Sequence, residues 1–380
     1  MATHTDTVRV ALLIGGMTHD DWESYEVDSD LLIPADAWHV TLGATSDPLP
    51  TNVTPGAPFE LRVGGEPVMV GRVDTIDRVT EKRGRSYSLS GRDGAAILVD
   101  CSAPIFVAKL VTLGDIAAKV VRPLGISKIK IRAGKDKADR LREKINVEPG
   151  DTAWQALSNA AEANGLWPWF EPDGTLVVGG PDYEAPEVAA LILRRDGKGN
   201  NVMRLERRDS IAGRYSEVTV LGQCHGTATA QGKHAIKGTA PDTGVTWYRP
   251  RIVIDHEADS VAVAEDRARK LLADSRLKGH TVVATVAGHR IAAPGKASDG
   301  KLWQPGQRVR VVSEPDEIDA IYFLMARRFS GGRQRGSETR LTLKEDRAWL
   351  LDAHPHKRKH RRGKNSVHLQ IPDASKGAAQ

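Results

Sequence analysis

Short apolar runs that alternate with polar positions fill the first hundred residues. VRVALLIGG opens the chain, WHVTLGA follows at 38–44, and 59-FELRVGGEPVMVGRVDTIDRV-79 reads as two strands joined at Gly64-Gly65. SYSLSG, after the charged turn EKRGR, is a further strand. The period is two, the turns carry Gly, Pro and Asp, and no helical period of useful length interrupts them. Strands at this spacing predict a small barrel or sandwich.

From about Cys101 the pattern changes. TLGDIAAKVVRPLG predicts a helix starting near Thr112 or Asp115 and stopped by Pro123. ISKIKIRA is a strand and KDKADRLREKINV a charged, exposed piece. In 150-GDTAWQALSNAAEANGLWPWFEPDGTLVV-178, Thr152 and Gln155 form a capping box. Trp154, Leu157 and Ala161 share one helix face, and Gly165 stands where a C′ residue belongs. Two strands then flank EPDG, in which Pro172 presets φ and Gly174 accepts φ > 0.

A third region follows the linker GGPDYEAPE. It has strands near 202–207 and 215–222, a Gly- and Thr-rich segment 226–244 read as a long loop, and a helix in 259-DSVAVAEDRARKLLADSRLKG-279. That helix starts at Ser260 or Asp259, stops at Gly279, and offers Glu265–Arg269 and Asp266–Lys270 at i,i+4. HTVVATVAGHR, QRVRVVSE, AIYFLMARRFS and TRLTLKE return to strand, and 292–297 is a turn. The reading is α+β, mainly β, with boundaries at 1–100, 101–185 and 186–350, an α/β insertion around 250–290, and a mobile basic tail at 351–380.

Charge is unevenly placed. The chain has 54 Lys+Arg and 49 Asp+Glu; residues 351–380 hold seven and two of these, which leaves 47 of each before them. The excess sits in 354-HPHKRKHRRGK-364, so the body is not a basic nucleic-acid-binding domain. Lys357, Arg358, Lys359, Arg361, Arg362 and Lys364 are candidates for contact with phosphate or with an acidic partner, and equally a solubilising terminus. No apolar run is long enough to span a membrane and no secretory signal is visible. Cys101 and Cys224 read as unpaired thiols of a reducing compartment.

Reactive motifs are absent. There is no G-x-S-x-G, H-E-x-x-H, C-x-x-C or complete phosphate loop, and Ala292 to Ala297 lacks both the first glycine and the final Ser/Thr. His354, His356 and His360 have metal-like spacing but lie among cations that repel a metal. Cys224-His225 has no visible third partner. No catalytic, cofactor or metal site is assigned, and the chain is not expected to be an enzyme. The aromatics of 150–178 admit two readings. EPGDTAWQAL is similar to the opening of LysM peptidoglycan-binding modules, which makes them a glycan platform; alternatively Trp154, Leu157, Trp167 and Trp169 are the core of an α+β unit.

The order of segments over roughly 8–350 resembles the baseplate hub family of contractile-tailed phages, the Mu-like tail protein P group, related in fold to the N-terminal part of type VI secretion spike proteins. Residues 59–79 with 87-YSLSGRDGAAILVDCSA-103 carry the resemblance first, the "GRD" turn ending a barrel strand. The stretch 150–178 carries it next, then 215-YSEVTVLGQ-223, RPRIVI, EDRARKLLADSRLKG and WQPGQRVRVVSE through 339-TRLTLKE-345.

The resemblance implies two tail-tube-like β-barrel domains with inserted α+β elements. It implies a homotrimer whose six barrels adapt a sixfold tail tube to a threefold central spike. Its partners would be itself, the spike protein and the tube or neighbouring baseplate proteins, with DNA only passing through. Its place would be the virion tail baseplate, assembled in the host cytoplasm. A peptidoglycan-binding or wall-degrading tail component and a type VI-like spike subunit are the alternatives.

Overall fold

The computed structural model describes residues 9–351 apart from 46–48, 83, 106, 109–111, 134–144, 148–149, 163, 225–232, 256–257 and 259. Its N-terminal strands are β1 (Val10–Ile14), β2 (Met17–His19), β3 (Ser24–Asp30), β4 (Ala37–Thr45), β5 (Pro58–Val63), β6 (Glu66–Glu81) and β7 (Gly84–Asp93). They pair antiparallel in the order β3-β4-β7-β6-β5-β1-β2. Period-two patterning sets which face is buried: Phe59, Leu61 and Val63 point inward from β5, Tyr87 and Leu89 from β7. Gly64 and Gly65, both at positive φ, make the tight β5–β6 turn.

The middle segment is built from α1 (Ala95–Asp100), β8 (Val107–Ala108), α2 (Leu113–Ile116), β9 (Ile129–Arg132), β10 (Ile145–Asn146), α3 (Ala153–Glu162), β11 (Trp167–Phe170) and β12 (Leu176–Gly179). Thr112 caps α2 in a capping box with Asp115. The predicted helix does not run on as α to Pro123. It widens into a π turn at Ala117–Val121 and closes as a 3-10 turn at Arg122–Leu124, with Gly125 left-handed. Pro123 fits this turn because a short 3-10 turn does not need its missing N–H. Thr152 and Gln155 exchange the two capping-box hydrogen bonds of α3, at 3.1 and 2.9 Å. Helix and strands close over their own apolar cluster, which includes Leu98, Ile116, Leu157 and Leu176.

The last segment contains β13 (Ala189–Leu193), β14 (Arg204–Asp209), β15 (Glu217–Cys224), β16 (Lys233–Pro241), β17 (Pro250–Ile254), α4 (Val261–Gly279), β18 (His280–Ala287), β19 (Arg308–Ser313), β20 (Ile318–Gly332) and β21 (Arg335–Glu345). Strands β16-β15-β17 form a separate sheet with α4 on one face and a core of its own. Part of the expected 226–244 loop is therefore strand β16. Its one glycine, Gly238, marks close packing: a Cβ there would stand 2.2 Å from the Glu265 backbone nitrogen of α4. The α4 ion pairs also differ from expectation. Arg269 meets Asp266 three residues before it, and Lys270 meets Asp274 at 3.1 Å, since both spacings share a helix face.

The remaining strands join the N-terminal set in one 13-stranded sheet. Strand β20 makes the junction. Along one edge it pairs β21; along the other it pairs β19 over Ile318–Phe323 and then β3 over Ala326–Gly332. The expected mainly-β character is present, but no closed ring of strands is found among the described residues. The two sheet halves are continuous through the β3–β20 seam and share one core. Outer strands are blunted in a manner that discourages further pairing. On β13 the Asn201 side chain takes the place of a neighbour, accepting from Ile192 N–H and donating to Ala190 O. β14 is a row of mostly charged side chains.

Candidate functional site

The fork in the sheet is where three segments meet. At the β20 bulge between Leu324 and Ala326 the strand changes partner, and Met325 O accepts from Leu31 N–H at 3.1 Å. Beside it lies a cavity of about 330 Å³, lined by the ends of β3 and β7, by β11, by the 180–182 and 304–307 turns, and by Arg327 and Trp349.

The GRDG turn, residues 91–94, shows how sequence builds one wall. Gly91 lies under Trp38, whose ring would stand 2.9 Å from a Cβ there. Arg92 bridges Asp74 and Asp100 at 2.6 and 2.7 Å, tying β6 to α1. The Asp93 side chain accepts from Ala95 N–H at 2.9 Å, an Asx-type bond two residues on that turns the chain into α1. Gly94 leaves room for Phe170, whose Cε1 would be 2.5 Å from a Cβ. Each residue of the motif has a structural task.

Buried charge collects at this wall. Arg327 is 4% exposed, lies over the Phe329 ring at 3.9 Å, and has no hydrogen-bond partner for Nε or Nη1 among the described residues. Burial lowers its pKa to about 10, against the opposing pull of Asp36 and Asp28. Asp36 accepts from Ser29 Oγ at 2.5 Å and Asp30 N–H at 2.9 Å, yet loss of solvent raises its carboxyl to about 6. Burial, and then the neighbouring Asp36, push Asp93 well up; burial also raises Asp30.

On the other side of Phe329 stands a different polar site. His289 is fully buried, its ring 4.5 Å from that of Phe329, with Nε2 2.8 Å from Tyr25 Oη and Nδ1 3.0 Å from Thr339 Oγ1. Burial lowers its pKa to about 4, so the imidazole is neutral and both ring nitrogens have partners. Tyr25 comes from β3 and Thr339 from β21, so His289 joins the two sheet halves.

Sequence reading pointed elsewhere. Trp154 is 7% exposed, Leu157 is fully buried, and Trp167 and Trp169 are partly buried. Trp154 and Trp167 meet edge to face at 6.5 Å, and Trp167 meets Trp349 at 6.4 Å. Trp167 Nε1 donates to Leu31 O at 2.6 Å. Trp169 packs over Gly179 and lines the cavity. The structure thus brings Trp154, Trp167 and Trp169 to the junction with β3 and with Trp349. Lys357, Arg358, Lys359, Arg361, Arg362, Lys364, the three tail histidines and His225 lie outside the described residues. Cys101 is a free thiol. Among the described residues no group of three or more His, Cys, Asp or Glu is placed to hold a metal, and no helix is long and apolar enough to cross a membrane.

Arg327, Asp36 and Asp93 escaped sequence reading, although one signal was available. Arg327 stands two residues before Phe329, so the strand period puts both on the same face.

Four family profiles match in chain order. They are the Mu phage baseplate assembly protein GpP-like N-terminal domain over 9–93 and the baseplate hub protein gp44-like second domain over 95–180. The tail protein NMB1110-like third domain and a tail protein C-terminal domain follow over 214–272 and 274–348. The baseplate hub protein gp44 of Escherichia phage Mu is 27% identical over 371 residues, 94% of this chain and 93% of the relative. The tail protein from Neisseria meningitidis MC58 is 40% identical with a TM-score of 0.77, over 91% of this chain and 99% of that one. The 43 kDa tail protein of prophage MuSo2 from Shewanella oneidensis shares the fold at 24% identity and a TM-score of 0.78, over 90% and 99%. The chain belongs to the Mu-like phage baseplate hub and tail protein family.

Proposed function

We propose that this protein is a structural hub of a contractile phage tail baseplate. Three copies form a ring that adapts the sixfold tail tube to the threefold central spike and leaves a passage for DNA. The observation that carries the reading is the β3–β20 seam. It holds one sheet half from each end of the chain side by side, so that three chains bring six halves to a ring. In this reading each half is a tail-tube-like β-barrel wall, residues 1–100 and 186–350, with the 101–185 unit packed at their junction. The formally neutral body suits a conduit past which DNA slides without sticking.

Partners in this reading are the protein itself, a central spike protein, and tube or neighbouring baseplate proteins. The virion tail is its place, after assembly in the host cytoplasm. The function is mechanical and requires no nucleophile. Sedimentation equilibrium with negative-stain imaging tests it: a concentration-stable trimer with a threefold ring and central hole is expected. A monomer at all concentrations that fails to bind a cognate spike protein overturns it.

A further inference from the structure

One strand edge lacks the blunting seen elsewhere. Strand β17 is the outer member of the β16-β15-β17 sheet, and among the described residues it pairs only with β15, in parallel. Arg249 O accepts from Ser216 N–H, and Asp255 N–H donates to Leu221 O. Backbone groups of successive strand residues alternate in direction, so the odd-numbered residues face β15. Ile252 and Ile254 therefore turn their N–H and C=O outward, and Pro250 removes one donor at the first residue only. The two flanks of this edge differ. The register sets Ile252 beside Thr219 and Ile254 beside Leu221, on the face opposite Val218 and Val220, which bury against α4. Ile252 and Ile254 are 66% and 68% exposed, and Tyr248, just before the strand, is 79% exposed. On that face Glu217 and Lys237 offset each other. The α4 side is cationic: Arg251 lies over the Tyr215 ring at 5.2 Å, and Arg249, two residues earlier, donates through Nε to Arg214 O at 2.8 Å. Neither guanidinium has a carboxylate partner among the described residues.

We propose that β17 takes up an extended strand of another protein, one that alternates aliphatic and acidic side chains. The added backbone pairs with the outward groups of Ile252 and Ile254. Because strand side chains alternate between faces, its aliphatic residues lie beside Ile252 and Ile254 and its carboxylates beside Arg251 and Arg249. A second copy of this chain is a poor occupant. The open edge of β14 carries Arg204, Arg207 and Arg208, which repel the same cations. The edge of β13 is already occupied by the Asn201 side chain, and β2 has only three residues. The outer edge of β16 carries Lys233, Lys237 and Pro241. Two β17 strands placed edge to edge would set Arg249 and Arg251 of both copies along one seam. The inference goes beyond the ring and holds whether or not the copies form one.

The test uses the full chain and a fluorescein-labelled peptide of alternating Val and Glu, followed by fluorescence anisotropy up to about 1 mM peptide. The peptide should bind, and a Val–Lys counterpart should bind about tenfold more weakly or not at all. Arg251→Glu should reverse that preference, and Ile252→Lys should abolish binding of the acidic peptide. Methylating alternate backbone nitrogens of the peptide, on the edge that meets β17, should also abolish it. This last arm keeps the test valid if a protein variant fails to fold. Hydrogen exchange should show the Ile252 and Ile254 amides unprotected in the free protein and protected when the peptide is bound. Absence of binding, equal binding of the Glu and Lys peptides, or indifference to methylation overturns the proposal. So does protection of both amides without peptide that disappears on dilution, which would assign the edge to a second copy.

Discussion

Phe329 separates two buried polar sites that differ in one respect. His289 has a partner for each ring nitrogen and binds three strands together. Arg327, over the same ring, keeps two nitrogens without partners and faces a cavity rich in carboxylates. The first is a closed network of the kind that fixes one arrangement of a core; the second leaves buried polar groups unsatisfied. Both lie on the seam where the sheet changes from its C-terminal to its N-terminal half.

The largest expected effect removes the apolar support of the open site. Trp154→Ala should cost roughly 3–5 kcal/mol in chemical unfolding, because a ring buried between α3 and Trp167 leaves a cavity. Unchanged stability together with loss of sugar binding would instead mark a glycan platform.

The closed site should declare itself through pH. The folded-state pKa of His289 lies near 4, below the ordinary 6.5, so the unfolded chain takes up the proton first. Stability from this group is present above about 6.5 and is lost as pH falls towards 4, by about 3 kcal/mol. His289→Gln should flatten that part of the stability–pH curve; an unaltered slope would show that the imidazole does not stay neutral.

Asp36 works in the opposite direction. Its raised folded pKa, about 6, means that its contribution is greatest below the ordinary carboxyl value and is lost as pH rises through 6. At pH 7 Arg327→Met should destabilise, because it leaves the buried Asp36 carboxylate without its cation, and the same change in the Asp36→Asn background should cost less. The coupling should be about 1–2 kcal/mol in a double-mutant cycle. Strict additivity would remove the electrostatic link between them. The smallest effect belongs to the helix cap: Thr152→Ala should lower the melting temperature by the equivalent of about 1 kcal/mol.

Local features were legible in the sequence. The Gly64-Gly65 turn, the Thr152–Gln155 box, the EPDG turn and the start of α4 at Ser260 all depend on residues close in the chain, and they stand where pattern reading puts them. Strand β16 was missed because its one glycine, Gly238, serves close packing against Ala264 and Glu265, residues remote in sequence. The π turn after Ile116 was missed for a related reason. Four buried side chains of that helix, from Leu113 to Val121, meet a core to which the α3 helix also contributes.

What the sequence determined by itself was the period of most strands, the ends of α3 and α4, the location of the charge excess and the family order of the segments. Only the tertiary structure decided that β20 takes two partners on one edge, and that Asp36, Asp93 and Arg327, from three distant stretches, stand around one cavity. A residue's neighbours along the chain set its backbone preference. Whether its charge is solvated, paired or stranded depends on elements brought together by pairing over some three hundred residues, and no local pattern encodes that distance.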